Sequence, residues 1–289
     1  MEPGNESTSD GFFEGKCISE YSGGLDSDDV GTASEPVVQC CRPYVYWKDS
    51  GSRGNSTAGV GICFPLITMI TAFTYLFGNG GSPLCAMELG RGNHEEAEKL
   101  MGNTFSMLLI SSIILMAVSY LFYKPILYAF GASDVTFPYA GDYITIYLIG
   151  TPFVMISLGL NPFINCQGFG NMGMLMVLIG AVLNIILDPI FIFGLHMGVR
   201  GAALATIISQ ICSGIWVLRF LTGKKVTLRL NRLAMVIEWA RVKEIMALGI
   251  SGFMMQFTNG LVQIFCNSTL HMYGGDIYVG VMTVLNSVR

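Results

Sequence analysis

Asp188 is a single carboxylate inside a long apolar stretch. It follows a run, 143–187, that contains no Asp, Glu, Lys or Arg, and its surroundings read LNIILDPIFIFG. Asn184 precedes it by four residues, so a helix places both side chains on one face. Burial raises the proton affinity of a carboxyl group, whereas a bound cation lowers it. Such a group can exchange a proton for a hard cation, with amide or hydroxyl oxygens as further ligands.

The composition predicts that this carboxylate lies within a membrane. Of 289 residues, 52% are hydrophobic and 12% are charged, and the mean hydropathy is +0.56, whereas soluble domains carry about 25% charged residues. Uncharged stretches long enough to cross a bilayer lie at 58–79, 100–123, 143–165, 174–195, 201–221 and 246–270, and a seventh begins near Ile277. The predicted fold class is therefore all-α, a polytopic membrane helical bundle.

The cost of burying a charge indicates how Asp188 is oriented. A carboxylate at the bilayer centre costs about 2.5–3.5 kcal/mol on insertion scales, so Asp188 is expected to face the bundle interior and to carry a function. Thr206 lies about five residues into the next span and Asp188 about seven from the outer end of its own, so antiparallel helices bring them to a similar depth. Pro189 removes a backbone hydrogen bond and favours a bend. Two alternatives remain open: an acid satisfied by Asn184 and water, and a threonine bonded to its own backbone.

A second polar face lies on the span 246–270. Its members recur at spacings of three and four residues and carry no charge: Gln256, Asn259, Gln263 and Asn267. In lipid such a stripe must face protein or water. It either lines a central cavity, which is the favoured interpretation, or bonds neighbouring helices.

The Lys and Arg residues set the predicted orientation, because cytoplasmic loops are enriched in them. Alternate loops hold Arg91, Lys99, Lys224, Lys225, Arg229, Arg232, Arg241 and Lys243 on one side but only Lys124 and Arg200 on the other. The first span then runs inward, which leaves residues 1–57 outside the cell without a signal peptide. This polar segment is predicted to be disordered. A frameshift that replaced an original first span, with an aspartate of its own, would also explain it, since a one-base shift over Gln39–Gly54 can encode such a stretch.

Several other patterns are expected to carry no chemistry. GFGNMG at 168–173 lies between two spans rather than after a strand, so it predicts a turn and no nucleotide site. NHEEAEKL at 93–100 is interpreted as a solvated helix start, and 229–249 as an interfacial helix. Five cysteines in or beside apolar spans are interpreted as buried small residues: Cys63, Cys85, Cys166, Cys212 and Cys266. No zinc site or nucleic-acid partner is expected. An intramembrane enzyme is disfavoured because only one acid lies within a complete span.

Four stretches resemble the multidrug and toxic compound extrusion (MATE) family, in particular its MepA-like and DinF-like branch. They are GNGGSPLCAMELGRGNHEEAEK (78–99), PFINCQGFGNMGM (162–174), LNIILDPIFIFGLHMGVRGAALATIISQ (183–210) and MYGGDIYVGVMTVLNSVR (272–289). Family members have twelve spans in two six-helix lobes. The resemblance implies an N-terminal lobe without its first span at 58–223, a cytoplasmic linker at 224–245 and the start of a second lobe at 246–289. It also implies that Asn184, Asp188 and Thr206 bind sodium or protons.

The function implied by the resemblance is secondary active efflux of organic cations or drugs, driven by sodium or proton antiport. No cofactor is expected besides the coupling ion. The implied setting is a bacterial plasma membrane, with a monomer when the protein is full length. Two alternatives remain open: a flippase for lipid-linked or other large substrates, which would need more cationic residues in its cavity, and an inactive fragment that cannot enclose a substrate.

Overall fold

A computed structural model describes residues 53–223, 226–230 and 235–288. The predicted disorder and the proposed frameshift of residues 1–52 lie outside these described residues, as do Lys224, Lys225 and Arg232. Residues 53–57, which the sequence pattern places in the polar N-terminal segment, belong to the first described helix.

All regular structure in the described residues is helical, and six helices are long and apolar enough to cross a membrane. They are α1 (Arg53–Gly90), α2 (His94–Ala129), α3 (Phe137–Cys166), α4 (Gly170–Pro189), α5 (Gly198–Leu221) and α6 (Trp239–Val288). A π-helical segment, Ile190–Gly194, continues α4. At Gly275 (φ 69°, ψ −170°) two helices meet within α6, which corresponds to the predicted start of a seventh span. The predicted all-α membrane bundle is confirmed.

Two glycines end the first two helices and allow the short connections between the spans. Gly92 and Gly131 have φ values of 78° and 96°, in the left-handed region that favours glycine. At the second of these, the Gly131 N–H donates to Tyr128 O at 3.1 Å and the Ala132 N–H to Leu127 O at 3.0 Å. This is the Schellman arrangement, which satisfies the last carbonyls of a helix.

The core lies where α1 and α3 pack together, with α5 against α3 and α4 against α5. Its largest fully buried side chains include Tyr143, Phe163, Met101 and Leu148. The outward face of α2 exposes large apolar side chains, among them Ile114, Leu121 and Phe122. In a membrane protein such a face contacts lipid, because no hydrophobic force drives it into the bundle.

The linker between α5 and α6 differs from the predicted interfacial helix over 229–249. The helix begins only at Trp239, and Leu228 and Leu230 are buried without being helical. Backbone N–H groups hold this segment to the bundle: Leu228 N donates to Gln167 Oε1 at 3.0 Å, and Leu230 N to Leu221 O at 3.1 Å. Leu228 and Leu230 therefore belong to the buried core, and among the described residues the α-helix covers only the later part of the predicted segment, from Trp239.

The acidic start of α2 also differs from the prediction of a purely solvated face. The Glu96 carboxylate accepts from Arg241 Nη2 of α6 at 2.8 Å and from Arg241 Nε at 3.0 Å. The Arg241 side chain is 15% exposed. This two-pronged contact ties the start of α6 to α2 at the end of the bundle that the Lys/Arg distribution assigns to the cytoplasm.

Candidate functional site

Asp188 and Asn184 lie on the narrow buried face of α4. Most of this helix is accessible, and Val182, Ile185 and Ile186 are exposed. Its buried residues recur at helical spacing and form one stripe: Gly173, Met176, Asn184 and Asp188. Asp188 is 5% exposed and Asn184 is 3% exposed. The two most polar side chains of the helix thus face protein, as the cost of a lipid-exposed charge requires.

Helix α5 brings Thr206 to the same level. A Cβ added at Gly201 of α5 would lie 2.9 Å from the backbone of Phe191, and one at Gly180 of α4 would lie 2.7 Å from Ser213 Oγ. The two contacts are separated by nearly the same number of residues on α4 as on α5. Positions between the contacts can therefore be matched residue by residue along the antiparallel pair. Thr206, five residues beyond Gly201, therefore lies level with residue 186, midway between Asn184 and Asp188.

Thr206 is itself buried, with 8% of its surface exposed. Its hydroxyl donates to Ala202 O at 2.8 Å, so the predicted alternative of a threonine bonded to its own backbone is observed. A hydroxyl that donates in this way can still act as an oxygen ligand, because its oxygen has two lone pairs. The backbone bond also fixes the rotamer, which orients those lone pairs.

The chain leaves α-helical geometry directly after the carboxylate. Pro189 has no N–H to donate to Ile185 O, and the next residues form the π-helical segment, in which Leu195 N donates to Ile190 O at 3.0 Å. Sequence analysis predicted a bend at Pro189 but not a π-helix. π-Helical turns occur frequently at functional sites, because the widened turn changes where neighbouring side chains point.

Two buried tyrosines that sequence analysis missed lie on α3, and one of them, Tyr147, is near the same level. Tyr143 is fully buried and Tyr147 is 6% exposed, and their rings stack with centroids 6.1 Å apart. Helices α3 and α5 run in the same direction, and a Cβ at Gly150 would lie 2.6 Å from Ile207 Cγ1. Tyr147 is therefore within one helical turn of the level of Thr206. The missed signal was a pair of tyrosines four residues apart in an otherwise apolar span.

The polar stripe of α6 is divided between two environments. Thr68 Oγ1 of α1 donates to Gln263 Oε1 at 3.3 Å, and Asn267 Nδ2 donates to Gly61 O at 3.5 Å. By contrast, Asn259 Nδ2 donates to Gln256 Oε1 of the same helix at 3.1 Å, and Asn259 is exposed. Gln263 and Asn267 thus bond a neighbouring helix, whereas the exposed Asn259 bonds the partly buried Gln256 of its own helix.

Within the described residues, no group of three or more His, Cys, Asp or Glu side chains could hold a metal ion. A site for a transition metal is thus not found there. The set at Asp188 has one carboxylate with neutral oxygens, which is the donor type that hard cations prefer. The GFGNMG stretch (168–173) begins in the turn from α3 to α4, but its last four residues already belong to α4. The interpretation as a turn therefore holds only for Gly168 and Phe169.

Comparisons with known proteins identify the family. The MatE family model matches residues 53–190. The multidrug export protein MepA of Staphylococcus haemolyticus is 31% identical over 230 residues, which cover 80% of this chain and 51% of that protein. The chain belongs to the MATE family. MepA of Staphylococcus aureus (strain NCTC 8325 / PS 47) is 25% identical over 217 residues, covering 75% of this chain and 48% of that protein.

Solved structures agree with this assignment. The MATE multidrug transporter DinF-BH superposes with a TM-score of 0.83 at 30% identity, covering 99% of this chain and 62% of that one. An inward-facing MATE family transporter of the MOP superfamily gives a TM-score of 0.79 at 23% identity, covering 93% and 60%, and supports the fold alone. The chain spans about half the length of the curated relatives it matches. With its six membrane-capable helices and bacterial relatives, it is a multi-pass protein of the bacterial plasma membrane.

Proposed function

We propose that this chain forms the ion-coupling half of a secondary active multidrug exporter. In this proposal Asp188, with Asn184 and Thr206, binds the proton or sodium ion that enters in exchange for the exported drug. The observation that supports it is the burial of Asp188 on an otherwise accessible apolar helix, level with Thr206. A carboxylate is expensive to hold at membrane depth, and such residues mark ion pathways in transporters.

The coupling follows from competition at one carboxylate. Protonation neutralises the acid, and a bound sodium ion compensates its charge, so either species lowers the cost of burial. The two forms place different demands on the surrounding oxygens, because a cation needs several ligands and a proton needs one acceptor. The π-helical segment after Pro189 is the element proposed to respond, shifting the population between outward- and inward-open forms.

The cargo proposed for the assembled transporter is small organic cations or drugs. The support is the name of the curated relatives, which are described as multidrug export proteins. Aromatic and methionine side chains suit the binding of varied apolar cations. The alternative of a flippase for large lipid-linked substrates is less well supported, because the described spans offer few cationic side chains to hold an anionic headgroup.

Ion binding is tested on the purified chain in detergent. Sodium titration, followed by calorimetry and by thermal melting, is expected to raise the melting temperature of the wild type and to leave Asp188→Asn unchanged. The matched control is Asp142→Asn, which removes an exposed acid paired with Arg200 at 2.9 Å and is expected to keep the sodium response. Protons should compete, so the sodium response should weaken as the pH is lowered. A full response in Asp188→Asn rejects the site.

Export is tested in a chimera, since this chain spans about half of its relatives. Residues 53–289 replace the matching part of Staphylococcus haemolyticus MepA, and the product is expressed in a bacterium lacking its own drug efflux pumps. Reduced accumulation of a fluorescent cationic dye, lost on Asp188→Asn at equal membrane abundance, is the expected result. Unchanged efflux by the Asp188→Asn chimera would contradict the coupling role even if sodium binds.

A further inference from the structure

Two cysteines meet at the ends of α1 and α3. The Sγ atoms of Cys85 and Cys166 are 4.0 Å apart, and both residues are free thiols. Cys85 is fully buried, and Cys166 is partly exposed. The candidate cation site uses neither thiol. Both lie at the end of the bundle that the Lys/Arg distribution assigns to the cytoplasm.

The packing of α1 against α3 holds the two thiols in register. A Cβ at Gly78 would lie 2.7 Å from Gly159 O, so the two backbones approach closely there. Cys85 and Cys166 each lie seven residues further along their own helix. Ser82 Oγ, between these positions, donates to Pro162 O at 3.1 Å. Two parallel helices fixed at both points keep the cysteines level, so their proximity is a consequence of the core.

The two thiols differ in access. Cys85 Sγ lies under α2, 3.7 Å from Ala97 O. Cys166 is the last residue of α3 and precedes the exposed Gly168 of the turn to α4. A small oxidant arriving from the aqueous side therefore reaches Cys166 first, while Cys85 is placed behind it. This is the order of a reactive thiol followed by a resolving thiol.

We propose that Cys85 and Cys166 form a reversible oxidation site for hydrogen peroxide or a related hydroperoxide. The Cys166 thiolate attacks one peroxide oxygen, the O–O bond breaks, and Cys166 becomes a sulfenic acid while hydroxide leaves. Cys85 Sγ then attacks Cys166 Sγ and an S–S bond forms, while the sulfenic oxygen takes up the Cys85 thiol proton and leaves as water. The hydroxide from the first step takes up the proton that Cys166 gave up. Overall, two thiols and one peroxide give one disulfide and two waters, with two electrons passing from sulfur to oxygen.

The structural change required is small. A disulfide needs an S–S distance of about 2.03–2.05 Å, so the sulfurs must close by roughly half of their present separation. Rotation of the two side chains, with a shift of the last turn of α3, supplies this because Cys166 is at a helix end. The disulfide would link α3 covalently to α1. Helix α1 also packs closely against α6, where Gly249 approaches Leu76. Oxidation would therefore restrict relative movement of α1 and α3 at this end of the bundle.

The test uses thiol counting in isolated membranes that contain the chain. A variant that keeps only Cys85 and Cys166 is treated with hydrogen peroxide, blocked with N-ethylmaleimide, reduced, and labelled with a polyethylene glycol maleimide that shifts its gel mobility. Two labels per chain are expected after oxidation, and none without it. A matched variant that keeps only Cys212 and Cys266, on α5 and α6, is expected to gain none.

Single substitutions separate the two roles. Cys85→Ser should leave Cys166 as a sulfenic acid that reacts with dimedone, whereas Cys166→Ser should lose dimedone labelling. If the variants in which most cysteines are replaced do not accumulate, the wild-type chain is oxidised, alkylated and analysed by mass spectrometry. A disulfide-linked peptide that contains both Cys85 and Cys166 is then the expected result. Free Cys85 and Cys166 after oxidation, in either format, or equal labelling of the Cys212/Cys266 variant, would overturn the proposal. These readouts do not depend on ion binding or export.

Discussion

The buried face of α4 and the polar stripe of α6 place polar side chains at similar helical spacing within membrane spans, yet their chemistry differs. On α4 a charged residue and an amide, Asp188 and Asn184, are almost fully buried on a helix that otherwise exposes apolar side chains. On α6 the four members are neutral amides. One of them, Gln263, accepts from Thr68 of α1 at 3.3 Å, which joins the two helices.

This difference in chemistry indicates a different role for each region. Neutral amides between membrane helices are inexpensive, and each interhelical hydrogen bond contributes only about 0.6 kcal/mol. A carboxylate costs several times as much, so its retention needs a compensating gain. The amides of α6 fit a packing role wherever they meet α1, and the carboxylate of α4 fits an ion-binding role. Substitutions that move the charge to α6, or that remove polar side chains, test this difference between the two regions.

Moving the charge should produce the largest effect. Gln263→Glu places a carboxylate on the α6 stripe, where its described partner is a hydroxyl, and should destabilise the folded chain by about 2.5–3.5 kcal/mol. Thermal melting in detergent at neutral pH measures this loss, which should shrink as the pH falls because a neutral acid is cheaper to bury. Asp188→Asn should melt no lower than the sodium-free wild type.

The double variant sharpens this prediction. Asp188→Asn with Gln263→Glu carries the same number of carboxylates as the wild type but should show no sodium response. A restored response would mean that any buried acid in the bundle suffices and that the α4 position has no special role.

Removing the amide beside the carboxylate should have the next largest effect. Asn184→Ala deletes an oxygen ligand one helical turn from Asp188 and should weaken sodium binding by about 10–100-fold, the loss typical when a supporting group of a metal site is removed. Calorimetric titration measures the dissociation constant. Gln256→Ala, an amide deletion on α6, is the matched control and should leave that constant unchanged. If both variants weaken sodium binding equally, Asn184 has no role in ion binding that the α6 amide lacks.

The sequence predicted the spans and the buried position of Asp188 because both follow from the cost of charge in hydrocarbon. It could not predict the π-helical segment, since Pro189 is also compatible with a simple kink. Tyr143 and Tyr147 were missed because tyrosine fits the interior of a span as well as its edge. The linker was misjudged because apolar residues recur at helical spacing between basic ones over 229–249, a pattern that suits an interfacial helix. The structure instead buries Leu228 and Leu230 on non-helical chain and begins the helix at Trp239.

Thr206→Val should weaken sodium binding by a smaller amount. The change removes one hydroxyl and keeps the side-chain shape, and a single neutral ligand of this kind contributes about 1 kcal/mol, or roughly fivefold in the dissociation constant. The same calorimetric titration measures it. Thr206→Ser should retain most of the affinity because it keeps the oxygen. If valine and serine weaken binding equally, the methyl packing of Thr206 matters and its hydroxyl does not.

Asn259→Ala should have the smallest effect. This amide is exposed, and its described hydrogen bond is to Gln256 on its own helix, so its loss should change the free energy of unfolding by less than about 0.6 kcal/mol. Neither the melting temperature nor the sodium dissociation constant should move measurably. In the MepA chimera the same substitution tests cavity lining directly: an altered dye preference with unchanged sodium binding would show that this half of the stripe contacts cargo. Unchanged export of every dye would exclude Asn259 from the cavity lining and leave a packing role only for the α6 amides that bond α1, in contrast to the ion-binding face of α4.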